Sequence, residues 1–357
     1  MTAVKTVRLK ICNLFVTLAG DILHDFFSSL LLKIYHCIMK VTARFLFSSG
    51  MGAAWFLCWF FLASSLFAAD EFTLDTARAA AATNNPAAEC FLARRYANGL
   101  GVSRDYAKAV EYLRQAAGQG YAAAETGLGS CYAHGEGVGL DYAEAVQWYR
   151  KAAVQGDSLA QYCLGYAYAQ GKGVPENMKE AVAWWQKSAA QGQVYAQNAL
   201  GQFYCFGDHF GDTNVDYAQA MLWLRKAAEQ NYAPAMATLG YMYLYGVGAE
   251  RDSSLALQWN RRAADMGDAG AEDDLGQMYE NGDGGLPHDL IQAYKWFWLS
   301  DQQGNRGGQH DVMQIELNHA LTPQQINEAK RLAVEFHAQT NTNQPAAALE
   351  GRPETAR

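Results

Sequence analysis

Apolar residues recur at a spacing of four in six stretches of the chain. In each stretch an alanine is followed four residues later by a leucine and, after four more, by a tyrosine. Residues spaced by four lie on one side of a helix, so the pattern predicts six helices with an apolar stripe. The leucines are Leu92, Leu128, Leu164, Leu200, Leu239 and Leu275, and the tyrosines are Tyr96, Tyr132, Tyr168, Tyr204, Tyr243 and Tyr279.

A turn and a second helix are predicted after each stretch. Paired glycines such as Gly135 and Gly137 interrupt a helix and allow the positive φ of a chain reversal. The following segment carries an alanine and, three residues later, a large aromatic residue, and a Gly or Asn ends the unit as a helix C-terminus requires. These aromatic residues are Tyr112, Trp148, Trp184, Trp223, Trp259 and Trp296. Small and large residues that alternate in this way favour close helix packing.

The period of about 36 residues indicates stacked modules rather than one globular core. The third unit, through Leu164–Gly165, the turn Gly171–Val174 and the segment Lys187–Gly192, resembles a Sel-one-like repeat (SLR), a relative of the tetratricopeptide repeat. The resemblance covers about 220 of 357 residues. It implies an all-α protein, a right-handed α-solenoid of six helix-turn-helix repeats with a C-terminal capping helix. It also implies an adaptor for other proteins, often in bacterial envelopes and host-interaction systems.

The boundaries follow from this period. The predicted repeats are 85–120, 121–156, 157–192, 193–231, 232–267 and 268–304, with an N-terminal cap at 70–84 and a C-terminal cap at 305–340. The C-terminal cap is expected to contain a loop, an apolar segment around Ile315, and a helix from Pro323 to about Ala338 that covers the last repeat. Residues 341–357 have no period, and we expect them to be disordered.

The N-terminal region predicts export. Residues 45–69 contain no charged residue, follow Lys40 and Arg44, and end in two alanines. This layout is typical of a signal peptide spanning 39–69, with the repeats in the periplasm or secreted. An uncleaved inner-membrane anchor, with the repeats outside the cytoplasm, is the alternative. Residues 1–38 precede a signal that is complete without them. They are interpreted as the result of a start codon assigned too early, or as an extra N-terminal extension.

Charge excludes one class of partner. Residues 1–69 hold six basic and two acidic residues, so the remainder carries a net charge of −12. An acidic surface repels phosphate backbones, and nucleic acid is therefore not expected as a partner. Membrane contact is expected only through the N-terminal apolar segment, if it is not cleaved. Four cysteines fall within the repeats at positions that do not recur, which favours packed thiols, with Cys131 and Cys163 as the best candidates for a bridge.

The candidate binding site comes from differences between the repeats. Positions 6, 10 and 14 of the first helix vary, and position 10 lies about 200° around the helix from the leucine, away from the packed stripe. In relatives built from stacked helix pairs the first helices line the concave side. A protein or peptide is therefore the expected partner, in a groove where aromatic anchors lie among polar groups. The predicted groove residues are Arg94, His134, Tyr162, Tyr166, Gln202, Phe206, Tyr241 and Tyr245.

Motifs for catalysis, cofactors and metals are not found in the sequence. Asp208, His209 and Asp212 lie together in an enlarged fourth turn, where a solvated polar loop is favoured over a weak cation site. Residues 281–285 resemble a calcium loop only in composition. No metal and no cofactor is therefore expected. Family members described as weak β-lactamases or penicillin binders suggest an alternative cell-wall enzyme, with Ser130 as its candidate serine. A membrane-held assembly factor is a further alternative. The favoured reading is a non-catalytic, exported scaffold.

Overall fold

The computed structural model describes residues 72–207 and 215–343. Within these ranges the protein has fifteen α-helices and no β-strand, which confirms the all-α solenoid. The predicted extension, signal segment and residues 344–357 lie outside the described residues, as do Asp208, His209 and Asp212.

The helices follow one another in pairs. An N-terminal helix α1 (Leu74–Ala81) comes first. The six repeats follow as α2 (Pro86–Asn98) with α3 (Tyr106–Gly118), α4 (Ala122–His134) with α5 (Tyr142–Val154), α6 (Ser158–Gln170) with α7 (Met178–Ala190), α8 (Val194–Phe206) with α9 (Tyr217–Glu229), α10 (Ala233–Tyr245) with α11 (Ser253–Asp265), and α12 (Ala269–Asn281) with α13 (Leu290–Gln302). The chain then forms α14 (Arg306–Leu317) and α15 (Pro323–Asn343).

The helix ends are set by capping residues that recur in every repeat. Each second helix begins at an Asp or Asn whose side chain accepts a hydrogen bond from a backbone N–H of the first turn, which satisfies a donor left free at a helix start. These caps are Asp105, Asp141, Asn177, Asp216, Asp252 and Asp289. The repeats end at a left-handed residue, and where glycine is absent Asn231 takes this conformation with φ 59°.

The alanine and leucine stripe predicted from the sequence is the core of each repeat. All six leucines are fully buried, from Leu92 to Leu275. The glycine that follows the leucine in repeats two to six lets the second helix approach closely. In the third repeat, a Cβ added to Gly165 would lie 2.5 Å from the Trp185 ring. Repeats two, three, four and six thus pack their two helices by leaving space for one large side chain.

Neighbouring repeats are joined by a recurring hydrogen bond to the predicted tyrosine. In each case a side chain on the second helix of one repeat donates a hydrogen bond to the tyrosine hydroxyl on the first helix of the following repeat. The tyrosine is always 18 residues further along the chain. The pairs are Arg114–Tyr132, Arg150–Tyr168, Gln186–Tyr204, Arg225–Tyr243 and Arg261–Tyr279, at 2.8 to 3.4 Å. The tyrosine therefore both packs in the core and links two repeats.

The C-terminal cap differs from the prediction in two details. Helix α14 begins at Arg306, two residues after Gly304, where a loop was expected. Its N-cap Asn305 accepts from the Gly307 N–H at 2.8 Å, and Gly308 packs closely on Ser300, so the helix continues the stack. Helix α15 packs on α13 and ends at Asn343, five residues beyond the expected end.

Candidate functional site

The first helices carry the predicted binding residues on one surface, which we call the first-helix face and define by positions 6, 10 and 14 of α2, α4, α6, α8, α10 and α12. Successive first helices contact each other at α8–α10 and α10–α12, which brings their side chains together. Tyr162 is half-buried. The other predicted residues are exposed: Arg94, His134, Tyr166, Gln202, Phe206, Tyr241 and Tyr245.

Three of these residues form an aromatic cluster across repeats four and five. The Phe206 and Tyr241 ring centroids lie 6.0 Å apart, and those of Tyr241 and Tyr245 lie 4.8 Å apart. The Tyr245 hydroxyl donates to Gln277 Oε1 in the sixth repeat. The exposed fractions of the three aromatic residues are 57%, 37% and 46% in chain order. The cluster Phe206–Tyr241–Tyr245, named here the exposed aromatic cluster, is the largest group of predicted residues that the structure brings together.

A second row of tyrosines begins at Tyr162. Its ring lies 6.4 Å from that of Tyr166 and 5.6 Å from that of Tyr195, and Tyr195 meets Tyr232 edge-on at 5.5 Å. Tyr195 and Tyr232 were not predicted, because they occupy positions 3 and 1 of their repeats, outside the variable positions that were compared. Tyr162, Tyr195 and Tyr232 are half-buried, whereas the three residues of the exposed aromatic cluster are all exposed. The row is therefore more enclosed than the exposed aromatic cluster.

The remaining predicted residues stand apart from both groups. Among the described residues, no hydrogen bond, ion pair or ring contact joins Arg94, His134 or Gln202 to either aromatic group. His134 Nδ1 lies 2.9 Å from the Ser130 carbonyl oxygen and 3.3 Å from its Oγ. A carbonyl oxygen only accepts, so Nδ1 carries the proton in this contact. His134 thus closes its own helix turn rather than extending the aromatic surface.

Carboxyl groups lie next to the exposed aromatic cluster, at the sixth repeat. Asp273 and Asp274 belong to α12, and Asp311 belongs to α14. Burial, followed by repulsion between the carboxylates, raises the pKa of Asp274 to about 7 and that of Asp273 to about 6. Burial also raises the pKa of Asp311, which His310 partly opposes. This acidic group, Asp273, Asp274 and Asp311, faces Tyr245, whose pKa is raised mainly by burial and further by these carboxylates.

The sequence held one signal of this acidic group that was missed. Asn260 stands where the other repeats have Leu113, Tyr149, Trp185, Leu224 and Phe297. It is fully buried, and its Nδ2 donates to Asp274 Oδ2 at 3.3 Å. A polar residue at a position that is otherwise large and mostly apolar indicates a buried polar partner. The comparison of first helices alone could not identify it, because Asn260 lies on a second helix.

A pocket of about 230 Å³ borders the same region, between the ends of α10 and α12. Tyr245 and Gln277 form part of its wall, and Arg251 pairs with Asp283 at 2.9 Å across its lining. Asp283 belongs to the segment whose composition resembles a calcium loop. Within residues 72–207 and 215–343, no group of three metal-binding side chains is present. The pocket is a recess with a mostly polar lining.

The tryptophans of the second helices are packing residues. Trp148, Trp184, Trp223 and Trp259 are half-buried against the hydrophobic core clusters. A Lys or Arg three residues later covers each ring, with Lys151 lying 3.8 Å from the Trp148 ring centroid. Such cation–π contacts occupy the ring faces that a sugar would need. The tryptophans do not extend the first-helix face.

The cysteines of the repeats are packed thiols and form no disulfide in the described part of the chain. Cys131 and Cys205 are buried, and burial raises the pKa of each to about 11. Cys163 lies beside the Tyr149 hydroxyl, and burial raises the pKa of this thiol to about 12. A thiol with a high pKa is a poor nucleophile. Cys131 and Cys163, the candidate bridge, are each unpaired.

The family is decided by comparison with known proteins. The Sel1 repeat model matches residues 86–121, 122–157, 158–193, 194–232, 233–268 and 269–297, one residue after each predicted start. The chain belongs to the Sel1-repeat family. Sel1-repeat proteins are generally non-catalytic scaffolds that typically mediate protein–protein interaction. No curated protein sequence matches this Sel1-repeat chain.

Two solved structures share substantial sequence with this Sel1-repeat protein. The c5321 protein, a protective antigen in uropathogenic Escherichia coli with an SLR fold, is 36% identical over 74% of this chain, with a TM-score of 0.60. The match spans 56% of the length of that antigen. A Sel1 repeat protein from Oxalobacter formigenes is 34% identical, with a TM-score of 0.57, and the match covers 62% of this chain and 89% of that one.

Length and hydropathy together decide whether a helix can span a bilayer. None of the helices between residues 72 and 343 that the structure describes has both the length and the apolar character that this requires.

Proposed function

We propose that this Sel1-repeat protein is an exported, non-catalytic scaffold that binds a protein or peptide segment on the first-helix face of repeats three to six. The exposed aromatic cluster is the observation that carries the proposal. Phe206 keeps 57% of its surface exposed at the end of a helix whose Leu200 is fully buried. Clustered aromatic rings on a polar surface are typical anchors of protein interfaces.

Side chains of two kinds support a peptide-binding role for this face. Tyr166, Tyr241 and Tyr245 each present an apolar ring and a hydroxyl that can donate or accept a hydrogen bond. Gln202 adds an exposed amide on the same face, four residues before Phe206 in the same helix. Rigid aromatic rings bind with a small loss of side-chain entropy, and amides can pair with a peptide backbone. The face therefore offers both anchoring and hydrogen-bonding groups.

The geometry does not favour the serine-enzyme alternative. An activated serine needs a base that accepts its proton. The ring nitrogen of His134 nearest to Ser130 Oγ contacts the Ser130 carbonyl oxygen and so holds a proton itself. In the part of the chain that the structure describes, no salt bridge or hydrogen bond brings a lysine to Ser130. A scaffold role accounts for these residues without further assumptions.

A photo-cross-linking experiment tests the binding face. A benzoylphenylalanine at Gln202 should capture a partner from envelope extract, whereas the same group at Gln147, exposed on the second helix α5, should not. The double variant Tyr166→Ala/Tyr241→Ala should lose capture at position 202 while its helical circular dichroism is unchanged. Equal capture from both positions, or capture unaffected by the double variant, would refute the proposed face.

Export is supported by the uncharged run of residues 45–69 after Lys40 and Arg44. N-terminal sequencing of the native protein tests it together with cell fractionation. We expect a mature N-terminus near Ala69 in the periplasmic or secreted fraction. An intact N-terminus in the membrane fraction would support the anchored alternative, and recovery in the cytoplasm would refute export.

A further inference from the structure

The acidic group at the sixth repeat forms no salt bridge with any cation in the part of the chain that the structure describes. Among the described residues, an Arg or Lys forms a salt bridge with each of five carboxylates: Asp75, Asp105, Asp283, Glu328 and Glu335. Asp273, Asp274 and Asp311 form no such pair within residues 72–207 and 215–343. Partly buried carboxylates that lack a cation are costly to ionise. The group is therefore poised to gain from a positive charge supplied from outside.

The neutral neighbours of these carboxyl groups do not replace a cation. Asn260 provides only a neutral donor to Asp274. Asp273 Oδ2 lies against the first turn of α14, where a Cβ on Gly307 would come within 2.6 Å of it, so it meets the partial charge of a helix start. Asp273 Oδ1 is buried without a hydrogen-bond partner. His310 partly offsets the raised pKa of Asp311, and it is not among the groups that shift the pKa of Asp273 or Asp274.

The carboxyl groups and the exposed aromatic cluster form one continuous surface. Tyr245 links the two, because its ring lies 4.8 Å from that of Tyr241 and its hydroxyl donates to Gln277, one helical turn after Asp273 in α12. Asp273 and Asp311 are partly exposed, whereas Asp274 lies buried behind them. Aromatic ring faces and carboxylates are the two groups that bind a guanidinium or an ammonium most favourably. Helix α12 adds to the preference for a cation at this surface, since the helix has four acidic residues and no basic one.

We propose that this end of the first-helix face recognises an arginine or lysine side chain of a partner peptide, with its aliphatic stem on Tyr241 and Tyr245 and its charge at Asp273 and Asp311. The inference rests on the proposed function, since it names the chemistry of the segment that the face binds. The adjacent pocket, bordered by Tyr245 and Gln277, accommodates the residue next to the cation. Phe206 provides the contact on the other side of the aromatic cluster.

Peptide pools with one fixed position test the proposal on the full chain. Labelled octapeptide pools carry Arg, Lys, citrulline, Leu or Glu at a fixed central position and random residues elsewhere. Citrulline keeps the shape of arginine without its charge. We expect the Arg and Lys pools to bind about tenfold more tightly than the citrulline pool, the ratio that an ion pair of about 1.4 kcal/mol produces.

The variants separate charge recognition from folding. Asp273→Asn/Asp311→Asn should abolish the preference for the Arg and Lys pools. Tyr241→Ala should lower the affinity for every pool. Glu229→Gln/Glu250→Gln removes the same charge from exposed positions outside the first-helix face and should leave the preference unchanged. Thermal melts followed by circular dichroism check that each variant is folded.

Three other outcomes would refute the inference, and they differ in what they imply for the proposed function. Pools that bind without preferring a cation would refute the cation site but leave the proposed function in place. A wild-type chain that binds no pool would refute both. A variant that ends at Asn343 and binds the Arg pool more tightly than the full chain would show that the chain's own segment with Arg352 and Arg357 occupies the site, which also refutes a partner peptide as the occupant.

Discussion

Met236 and Met266 occupy the two positions of the fifth repeat at which every other repeat forms a polar pair. Both methionines pack in the same hydrophobic cluster. Elsewhere a glutamine at the end of the second helix donates to a Glu or Gln near the start of the first. These pairs are Gln119–Glu89, Gln155–Glu125, Gln191–Gln161, Gln230–Gln197 and Gln303–Glu272, at 2.6 to 3.0 Å. The fifth repeat thus differs jointly from the others at these two positions, which are apolar here and polar elsewhere.

This joint difference predicts energetic coupling between the two positions. Met236→Glu alone should lower the free energy of unfolding by about 2 kcal/mol, because it buries a carboxyl beside an apolar partner. Adding Met266→Gln should restore about 1 kcal/mol of that loss. Urea denaturation followed by circular dichroism measures the cycle, with Glu125→Met and Gln155→Met as the reverse cycle in the second repeat. Additive costs in both cycles would contradict the coupling.

Gly165 is predicted to be intolerant of any side chain. Gly165→Ala places a Cβ 2.5 Å from the Trp185 ring and 3.0 Å from the Ala181 carbonyl oxygen. We expect a loss of about 1–3 kcal/mol in the free energy of unfolding through overpacking. Gly118→Ala is the matched control, since this helical glycine has no neighbour within 4 Å of an added Cβ. The control should gain up to about 1 kcal/mol. Equal effects at both sites would contradict the packing explanation.

Glu272 predicts a pH dependence of stability. Burial raises its pKa to about 8 from a usual value of 4.5, although Gln303 donates to it. The unfolded chain loses this proton at lower pH than the folded chain, so ionisation favours unfolding as pH rises from about 4.5 to 8. Glu272→Gln should therefore raise the free energy of unfolding by on the order of 2 kcal/mol at pH 8 and by little at pH 4.5.

The chain provides its own control for this substitution. Gln161 and Gln197 occupy the same position in repeats three and four and accept a hydrogen bond from Gln191 and Gln230. Glutamine therefore fits the site without disturbing the pair. Melting temperatures of both proteins between pH 4.5 and 8 test the effect. A constant difference across this range would show that the carboxyl is not the cause.

Tyr243 is expected to contribute more to stability through its hydroxyl than Tyr204 does. Arg225 donates a charge-assisted bond to the Tyr243 hydroxyl at 2.8 Å, whereas Tyr204 accepts from the neutral Gln186 at 3.3 Å. Tyr243→Phe should cost about 1 kcal/mol, and Tyr204→Phe roughly half as much or less. Urea denaturation of the two variants measures the difference. The reverse order would contradict a role for charge in joining the repeats.

The fold was predictable because the same packing constraint is repeated six times within one sequence. Alanine, leucine and tyrosine at a spacing of four identify the buried stripe, and the leucines and all six alanines of that stripe are fully buried. The capping helix was located from Thr322, Pro323 and Gln325, and the structure shows the Gln325 side chain accepting from the Thr322 N–H. Its end was misplaced by five residues, since polar residues after Ala338 carry no stop signal.

The candidate site was predicted less completely. Variable positions of single helices identified Phe206, Tyr241 and Tyr245, which the structure brings together. They did not identify Asn260 or Asp274, because that contact joins a second helix to the next first helix. Contacts between helices depend on how the repeats are stacked. A comparison of equivalent positions on the first helices alone gives no information about how the helices stack.

The hydrogen bond between neighbouring repeats spans 18 residues even beside the enlarged fourth turn. The three extra residues fall after Tyr204 and before Arg225, within a repeat, so they leave the spacing from Arg225 to Tyr243 unchanged. A whole repeat that is duplicated in the gene would bring a donor at one border and a hydroxyl at the other. The array could thus lengthen or shorten by recombination without a new junction having to evolve, while the turns remain free to acquire insertions.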